Sequence, residues 1–532
     1  MLNFFKSFFF EKKSEVNQIS NGYRSRRNRG NVFEGEKKSG ALNYPTAYRV
    51  DRYRLVQLSK KIFEESTQAR SAIIRLNDSV VNTGLMLEST PDAEILGISE
   101  EQKISISNII EKRFNLWAND PLKWCDFQRN NNFGQIERIL FYNQLVKGDY
   151  FVLLMFSDDP RLINPLQLLV IDPETVCNTN DPVQKEAVKQ RGHDMKGGIE
   201  FDGFGRQVAI FVKYKDRKTF QYKWQRIGVF NPVTGRRVVI HGNKQRFGNE
   251  PRGIPVLANV AHELEKVTDY SVYELAAALA NATIAAIVEP SDEAPATNPF
   301  TNNSFVPPNI LKKNGMWDDN TSDEANLDPG YTNIGKNVMK NSGGLLISSL
   351  NKGEKFTSHD TKRPNVNYGA FVDQVSTYVS SSLGIPIEVL KMVFGNNFSA
   401  SRASLKLFWQ SVNVWRDDII SDLRRPVHSA WLLGEVGTGN TILPGYDNPM
   451  LRPAWESANY IGIPSPSIDP VKEAKGAEIR VREGINTREQ EQQKAGNRSG
   501  YESTIKRLKN ENKQLAEAKE PLNEQEQMQG VA

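Results

Sequence analysis

The sequence predicts an α+β chain built from more than one unit, and three features carry that prediction. Apolar residues recur at three- and four-residue spacing between Tyr53 and Val81. Between Tyr150 and Ile240 they give way to short runs and alternating patterns of the kind strands need. A long helical stretch then begins at Pro255 and reaches about Glu289. At 532 residues the chain is too long for one ordinary domain.

The first helical pattern places Leu55, Leu58, Ile62, Ala69, Ile73 and Leu76 on one face. Further helices are predicted over Ile104–Trp117 and Gln135–Val146, with Gly148 positioned to end the latter. Tyr150–Phe156 and Leu166–Ile171 are continuous apolar runs, and Asp172-Pro173 punctuates the second. Val208, Ile210, Val212 and Tyr214 alternate with polar residues, as a half-buried strand should. Phe220–Phe230 and Arg237–Ile240 continue the series across an Asn231-Pro232 turn. If continuous, the helix from Pro255 to Glu289 would span roughly 50 Å. Its alanine-rich half would let neighbouring helices approach closely. Residues 290–343 are rich in Asn, Asp, Pro and Gly and read as a solvated insertion. A strand at Leu345–Leu350 and a helix carrying Phe371, Val375, Val379 and Leu383 follow, stopping at Gly384-Ile385-Pro386. Leu405, Phe408, Trp409, Val412, Trp415, Ile419 and Leu423 mark the cleanest amphipathic helix, which should stop at Pro426. Asp469-Pro470 opens another, with Val471, Ala474, Ala477 and Val481 on one face and Gly484 at its end. Thr487 with Gln490 forms a capping box for one more.

Composition limits the function classes. Hydrophobic residues at 39% and charged residues at 25% are enough for real cores. A mean hydropathy of -0.52 calls for solvated arms as well. Residues 1–40 are read as such an arm, with basic residues Arg24, Arg26, Arg27 and Arg29. Lys and Arg number 68 against 63 acidic residues, a balance too mild to name a partner. Cys125 and Cys177 alone form neither a disulfide framework nor a zinc site. The apolar run Leu275–Val288 falls short of the ~20 residues a bilayer requires, so no membrane partner is expected.

Local signatures of catalysis are missing. The sequence has no phosphate-binding glycine loop, no dinucleotide fingerprint and no nucleophile elbow. His262-Glu263 lacks the second histidine of a metalloprotease. The acidic stretch Asp318, Asp319, Asp323, Glu324 and Asp328 lacks the glycine and glutamate of a calcium loop. No cofactor or metal is expected. The informative stretch is Val389–Arg402, which mixes apolar residues with Lys391, Asn396, Asn397, Ser399 and Arg402. Small polar side chains with one or two cations suit a surface that slides past phosphates, whereas a row of arginines would hold DNA fast. A plain connection between helices, with Ser399 or Ser401 capping the second, fits the same residues.

The order of segments resembles the lambda-type portal family of tailed bacteriophages. The resemblance rests on Glu65–Leu76 continuing through Val80-Val81-Asn82-Thr83-Gly84-Leu85, on Arg252–Leu257, and on Lys352-Gly353-Glu354. It continues through Leu383-Gly384-Ile385-Pro386, Asn397–Ala403 and Ile468–Glu473. It implies a non-enzymatic homo-oligomeric ring, usually a dodecamer, at one vertex of the capsid in the virion, assembled in the host cytoplasm. The implied portal fold has a mixed α/β wing, a long α-helical stem, a small clip insertion and an α-helical crown. On this chain that means an arm at 1–40, a wing at 41–250, a stem helix at 251–289, and a clip with connecting strand at 290–360. A returning stem helix at 361–385, a tunnel loop at 386–401, a long helix returning to the wing at 402–444, and a crown and tail at 445–532 complete it.

The implied partners are double-stranded DNA bound without sequence preference, the large terminase subunit, capsid and scaffolding proteins, and head-completion or tail proteins. Lys391, Asn396, Asn397, Ser399 and Arg402 would face DNA. Asp318, Asp319, Asp323 and Glu324 would lie on the docking clip. The competing readings are a metal-dependent DNA nuclease, whose dispersed carboxylates need no local motif, and another virion ring adaptor.

Overall fold

The computed structural model of the chain describes residues 52–245, 248, 250–283, 287–289, 338–341, 344–347, 355–357, 368–393, 398–465, 470–495 and 504–516. The N-terminal arm and the acidic stretch with Asp318, Asp319, Asp323 and Glu324 lie outside these residues, as do Asn396 and Asn397. The chain divides into two compact units, Met1–Leu264 with Ser376–Ala532, and Glu265–Val375.

In the larger unit, the first helical pattern resolves into α1 (Arg52–Glu65) and α2 (Thr67–Val80). The break falls at Ser66, whose hydroxyl accepts the Ala69 N–H at 3.4 Å and so caps α2. β1 (Met86–Ser89) and α3 (Glu100–Ala118) follow. α4 (Phe133–Lys147) opens on an Asn132/Gln135 capping box and ends at Gly148, whose φ of 94° only glycine adopts freely. All the sheets are antiparallel. β2 (Asp149–Phe156) lies between β3 (Leu166–Ile171) and a later strand, and its first six residues are buried. Cover on both faces explains why its sequence is continuously apolar rather than alternating.

After α5 (Pro182–Gln190), a second sheet runs β4 (Asp194–Lys196), β5 (Ile199–Phe201), β6 (Gln207–Lys215) and β7 (Tyr222–Gly228) in that order. β8 (Val239–Asn243) returns to pair with β2. The two sheets share a core of Phe151, Leu153, Leu169, Ile171, Ile199, Ile210 and Val212.

The long helix is shorter than its sequence predicts. Pro255 leads into a 3-10 turn over Val256–Asn259. α6 (Ala261–Thr283) has 23 residues, about 35 Å rather than 50 Å. β9 (Ile287–Glu289) is already extended, as its β-branched pair Ile287-Val288 favours.

Within the smaller unit β10 (Val338–Asn341) pairs with β11 (Gly344–Ile347), and β12 (Lys355–Thr357) pairs with β9. The strand predicted at Leu345–Leu350 is thus found over its first half, and the rest lies outside the described residues. Tyr270 packs on Tyr368 and Phe371 at 5.5 and 5.2 Å, and Ser271 shares a 2.7 Å hydrogen bond with the Tyr368 hydroxyl.

α7 (Tyr368–Leu383) leads back into the larger unit, where α8 (Ile387–Lys391) and α9 (Phe398–Ile419) follow. The predicted stop at Pro426 does not occur. A π-helical segment, Ile420–Arg424, widens the turn, and α10 (Arg425–Gly437) continues from it with Pro426 in its first turn. There the missing proline N–H is tolerated. β13 (Ala458–Ile461) pairs with β1, so the chain beyond residue 445 first adds to this unit. α11 (Pro470–Arg482) and α12 (Arg488–Lys494) follow, and α12 carries the predicted Thr487/Gln490 box. Among the described residues nothing buries the shared apolar face of α11.

Candidate functional site

The stretch singled out in the sequence, Val389–Arg402, follows the turn that ends α7, and its residues 389–393 and 398–402 are described. α7 ends at Gly384 with φ of 66°, and the Ile385 N–H returns to the Ser380 carbonyl at 3.0 Å. That closes the helix with a left-handed glycine and buries Ile385. Pro386 then starts α8, where Leu390 is buried and its carbonyl accepts the Ser71 hydroxyl of α2 at 3.1 Å. Met392 takes a left-handed φ of 57°, unusual for a side-chain-bearing residue, and turns the chain away from α8. Met392 and Val393 stand exposed beyond it.

Sequence analysis assigns residues 386–401 to a loop. The structure corrects this in part, since 387–391 and 398–401 are helical. Pro386 at the front of α8 supplies a preset φ for the first of these turns. Ser399 and Ser401 accordingly lie within the first turn of α9, not at its cap.

α9 has three distinct faces. Phe408, Val412, Ile419 and the guanidinium-bearing Arg416 are buried. Arg416 donates to the carbonyls of Val80 at 3.0 Å, Ser79 at 2.8 Å and Ile463 at 2.7 Å, which fixes α9 to the end of α2 and to the segment just after β13. Further along, the fully buried Glu137 of α4 meets Arg424, with Nη2 to Oε2 at 2.5 Å. The same carboxylate accepts the Leu85 N–H at 3.3 Å. Roughly opposite the buried face lie Arg402, Lys406, Gln410 and Asn413, all exposed. Leu407 and Val414 form a separate exposed apolar stripe, roughly 100° around the helix.

Of the predicted DNA-facing residues, Lys391 ends α8 half-buried and Arg402 is exposed on the first turn of α9. Ser399 lies between them along the chain, in the same first turn as Arg402. Lys406 was missed in the sequence, although its spacing of four residues from Arg402 places both on one helical face. Among the described residues no three His, Cys, Asp or Glu side chains gather as a metal site, and no helix is long and apolar enough to cross a membrane.

Comparison with known proteins decides the family. The family model described as phage portal protein, lambda family, matches residues 37–416. This chain belongs to that family. The portal protein of Escherichia phage N15 is 21% identical over 439 residues, covering 80% of this chain and 78% of its own. Portal protein B of Escherichia phage lambda matches with the same identity and coverage. Among solved structures, a chain of the virion of a native gene transfer agent particle aligns with 83% of this chain and 93% of its own, at 11% identity and a TM-score of 0.42. An HK97-family phage portal protein from Corynebacterium diphtheriae covers 65% of this chain and 82% of its own, at 11% identity and a TM-score of 0.30.

In this portal-family chain, two of the segments that carry the resemblance, Arg252–Leu257 and Leu383–Pro386, are joints. Arg252 donates to the carbonyls of Val176, Pro173 and Gly197 at 2.8, 2.9 and 2.6 Å, and grips the buried Asp149 carboxylate. A side chain on the next residue, Gly253, would start 1.8 Å from the Gly148 carbonyl oxygen, so only glycine fits there. Leu383-Gly384-Ile385-Pro386 is the turn that delivers α8 to α2.

Proposed function

We propose that copies of this chain close into a ring, a dodecamer, at one vertex of the capsid, through whose hole double-stranded DNA is packaged and later ejected. Membership of the phage portal family over residues 37–416 is the observation that carries this reading. The ring is a passive channel, and the motor that hydrolyses ATP, the terminase, is a separate protein. Residues 41–250 are assigned to the wing, 251–289 and 361–385 to the stem, 290–360 to the clip, and the chain after 445 to the crown and tail. The clip, with Asp318, Asp319, Asp323 and Glu324, is the docking site, first for the large terminase subunit and then for head-completion and tail proteins. Capsid and scaffolding proteins meet the ring as it assembles in the host cytoplasm, and the finished ring stays in the virion.

Lys391, Asn396, Asn397, Ser399 and Arg402 face the passing duplex and touch its phosphates weakly, without reading sequence. Two supports favour this placement. Its described parts belong to α8 and to the start of the 22-residue α9, which hydrogen-bond to α2 through Ser71 and Arg416. It also carries few cations, as a sliding contact requires.

The test is a phage carrying Lys391→Ala with Asn397→Ala. Negative-stain imaging should show rings of unchanged form, while the number of DNA-filled heads or their retention of DNA changes. Wild-type packaging and retention in that double variant would reject the tunnel assignment. A wild-type protein that remains monomeric, in solution and in virions, would reject the ring.

A further inference from the structure

The hairpin of β6 and β7 carries a feature that the channel reading does not use. Between Lys213 and Arg226 the sequence has six cations, Lys213, Lys215, Arg217, Lys218, Lys223 and Arg226, against a single carboxylate, Asp216. That carboxylate is already matched, because Lys223 pairs with it and the Thr219 hydroxyl donates to it at 3.0 Å. Arg226 is likewise engaged at 2.6 Å with Glu200, which Arg191 and His193 also contact at 3.1 and 2.8 Å.

Strand register sorts the side chains of the two strands. Lys213 lies opposite Trp224 and Lys215 opposite Tyr222, so these four share one face of the hairpin. Ile210, Val212 and Ile227, on the other face, enter the core between the sheets. The outward face is therefore a checkerboard of cations and aromatic rings. The Lys213 ammonium sits 4.1 Å from the Tyr222 ring centre and 5.9 Å from that of Trp224. Lys215 lies 5.7 Å from Phe220, and both Tyr222 and Phe220 are well exposed.

We infer that this face is a second, external binding surface for the phosphate backbone of double-stranded DNA. Residues two apart on one strand face are about 6.8 Å apart, a separation of the same size as that between neighbouring phosphates along one nucleic-acid strand. The rings hold the lysine heads in place before any partner arrives, which lowers the side-chain entropy lost on binding. Because the Lys213 ammonium sits over the Tyr222 ring, base stacking there would have to displace it, whereas a phosphate meets the ammonium directly. An acidic polypeptide would need apolar anchors to bind specifically, and a flat strand face offers no pocket for them; a polyphosphate binds through charge and counterion release alone.

The test uses the full-length protein and a fluorescein-labelled 30-base-pair duplex, with anisotropy followed between 50 and 200 mM salt. Lys213→Glu with Lys215→Glu should raise the Kd at least about tenfold at the lower salt. Loss of two phosphate contacts should flatten the slope of log K against log salt by about 1.8. Lys213→Met with Lys215→Met keeps the apolar stems on the rings and should lower the slope equally, which guards against a folding defect in the first variant. Unchanged Kd and slope in the methionine variant overturn the proposal. So does a clear preference of the wild type for a single strand of the same length, which would mean base stacking. So does loss of poly-glutamate binding with duplex binding retained, which would mean an acidic protein partner. Lys213 and Lys215 lie outside the residues assigned to the channel, and the methionine variant leaves Lys391 and Asn397 in place, so the surface and the channel can fail separately.

Discussion

Asp149 begins β2 with no solvent contact, and its environment shows how single residues hold this fold. Burial alone would raise its carboxyl, but Arg252, His241 and Arg52 together hold it below the usual carboxylate range. Arg52 adds a 2.6 Å ion pair and also donates to the Lys147 and Gly253 carbonyls at 2.7 and 3.0 Å. His241 stacks on Phe151 at 4.3 Å and reaches Asp149 at 3.3 Å. Removing Arg252 would leave a buried charge underpaired and three carbonyls without their donor. Arg252→Ala should therefore cost on the order of 3–5 kcal/mol, read from chemical denaturation. A loss below about 1 kcal/mol would mean that Arg52 and His241 suffice. Glu111 makes the opposite case. Burial pushes its carboxyl up from 4.5 to about 7, the Ser89 N–H opposing and Glu88 adding to the rise. The folded chain then keeps a proton that the unfolded chain releases, so stability is full below about 4.5 and declines as pH rises toward 7. Glu111→Gln keeps the acceptor for Ser89, 2.9 Å away, without the charge. Its Tm should match the wild type at the acidic end and exceed it at pH 7, and parallel Tm-against-pH curves for the two proteins would sink this account.

At the scale of elements, what was legible depended on whether the signal was local. Gly148 after Lys147 and Thr487 with Gln490 are caps made within one turn, and each appears where its sequence places it, whereas the equally local Asn132/Gln135 box starts its helix two residues before the predicted Gln135. The Gly384-Ile385-Pro386 turn is legible for the same reason. The break at Ser66 was not separated from the surrounding periodicity, because apolar spacing continues across it and the cap is a single hydroxyl. Pro426 misled in the other direction. A proline inside a helix normally removes a hydrogen bond and clashes with the preceding turn, but the π segment Ile420–Arg424 absorbs it, and no local residue type announces that segment. α6 fell short of its predicted length because Ile287 and Val288 went to a strand whose partner, Lys355–Thr357, lies far along the chain. At the candidate site, Lys391 and Arg402 were readable from composition. The anchor Arg416 was not, since its carbonyl partners at Ser79 and Val80 lie more than 300 residues away. α11 shows the remaining limit, for periodicity says which residues share a face and not what covers it.

At the scale of the whole molecule, α9 links the single chain to the proposed ring. A helix in an isolated globular unit needs one apolar face, and α9 fills that need with Phe408, Val412 and Ile419. Leu407 and Val414 stand apart from that face, 64% and 54% exposed, and the polar stripe of Arg402, Lys406 and Gln410 lies beside them. A second apolar stripe adds nothing to the stability of one chain in water, but in a closed ring it can be buried by the neighbouring copy while the polar stripe stays wet. Because both side chains are solvated in the single chain, Leu407→Glu with Val414→Glu should leave the melting of the monomer within about 0.5 kcal/mol of the wild type. The same pair of charges, desolvated at a subunit contact, would oppose closure strongly. Light scattering coupled to size exclusion should then find the variant as folded single chains under conditions where the wild type forms rings. Rings of normal mass from the variant would place the contact between copies on another face, and α9 would serve the channel alone.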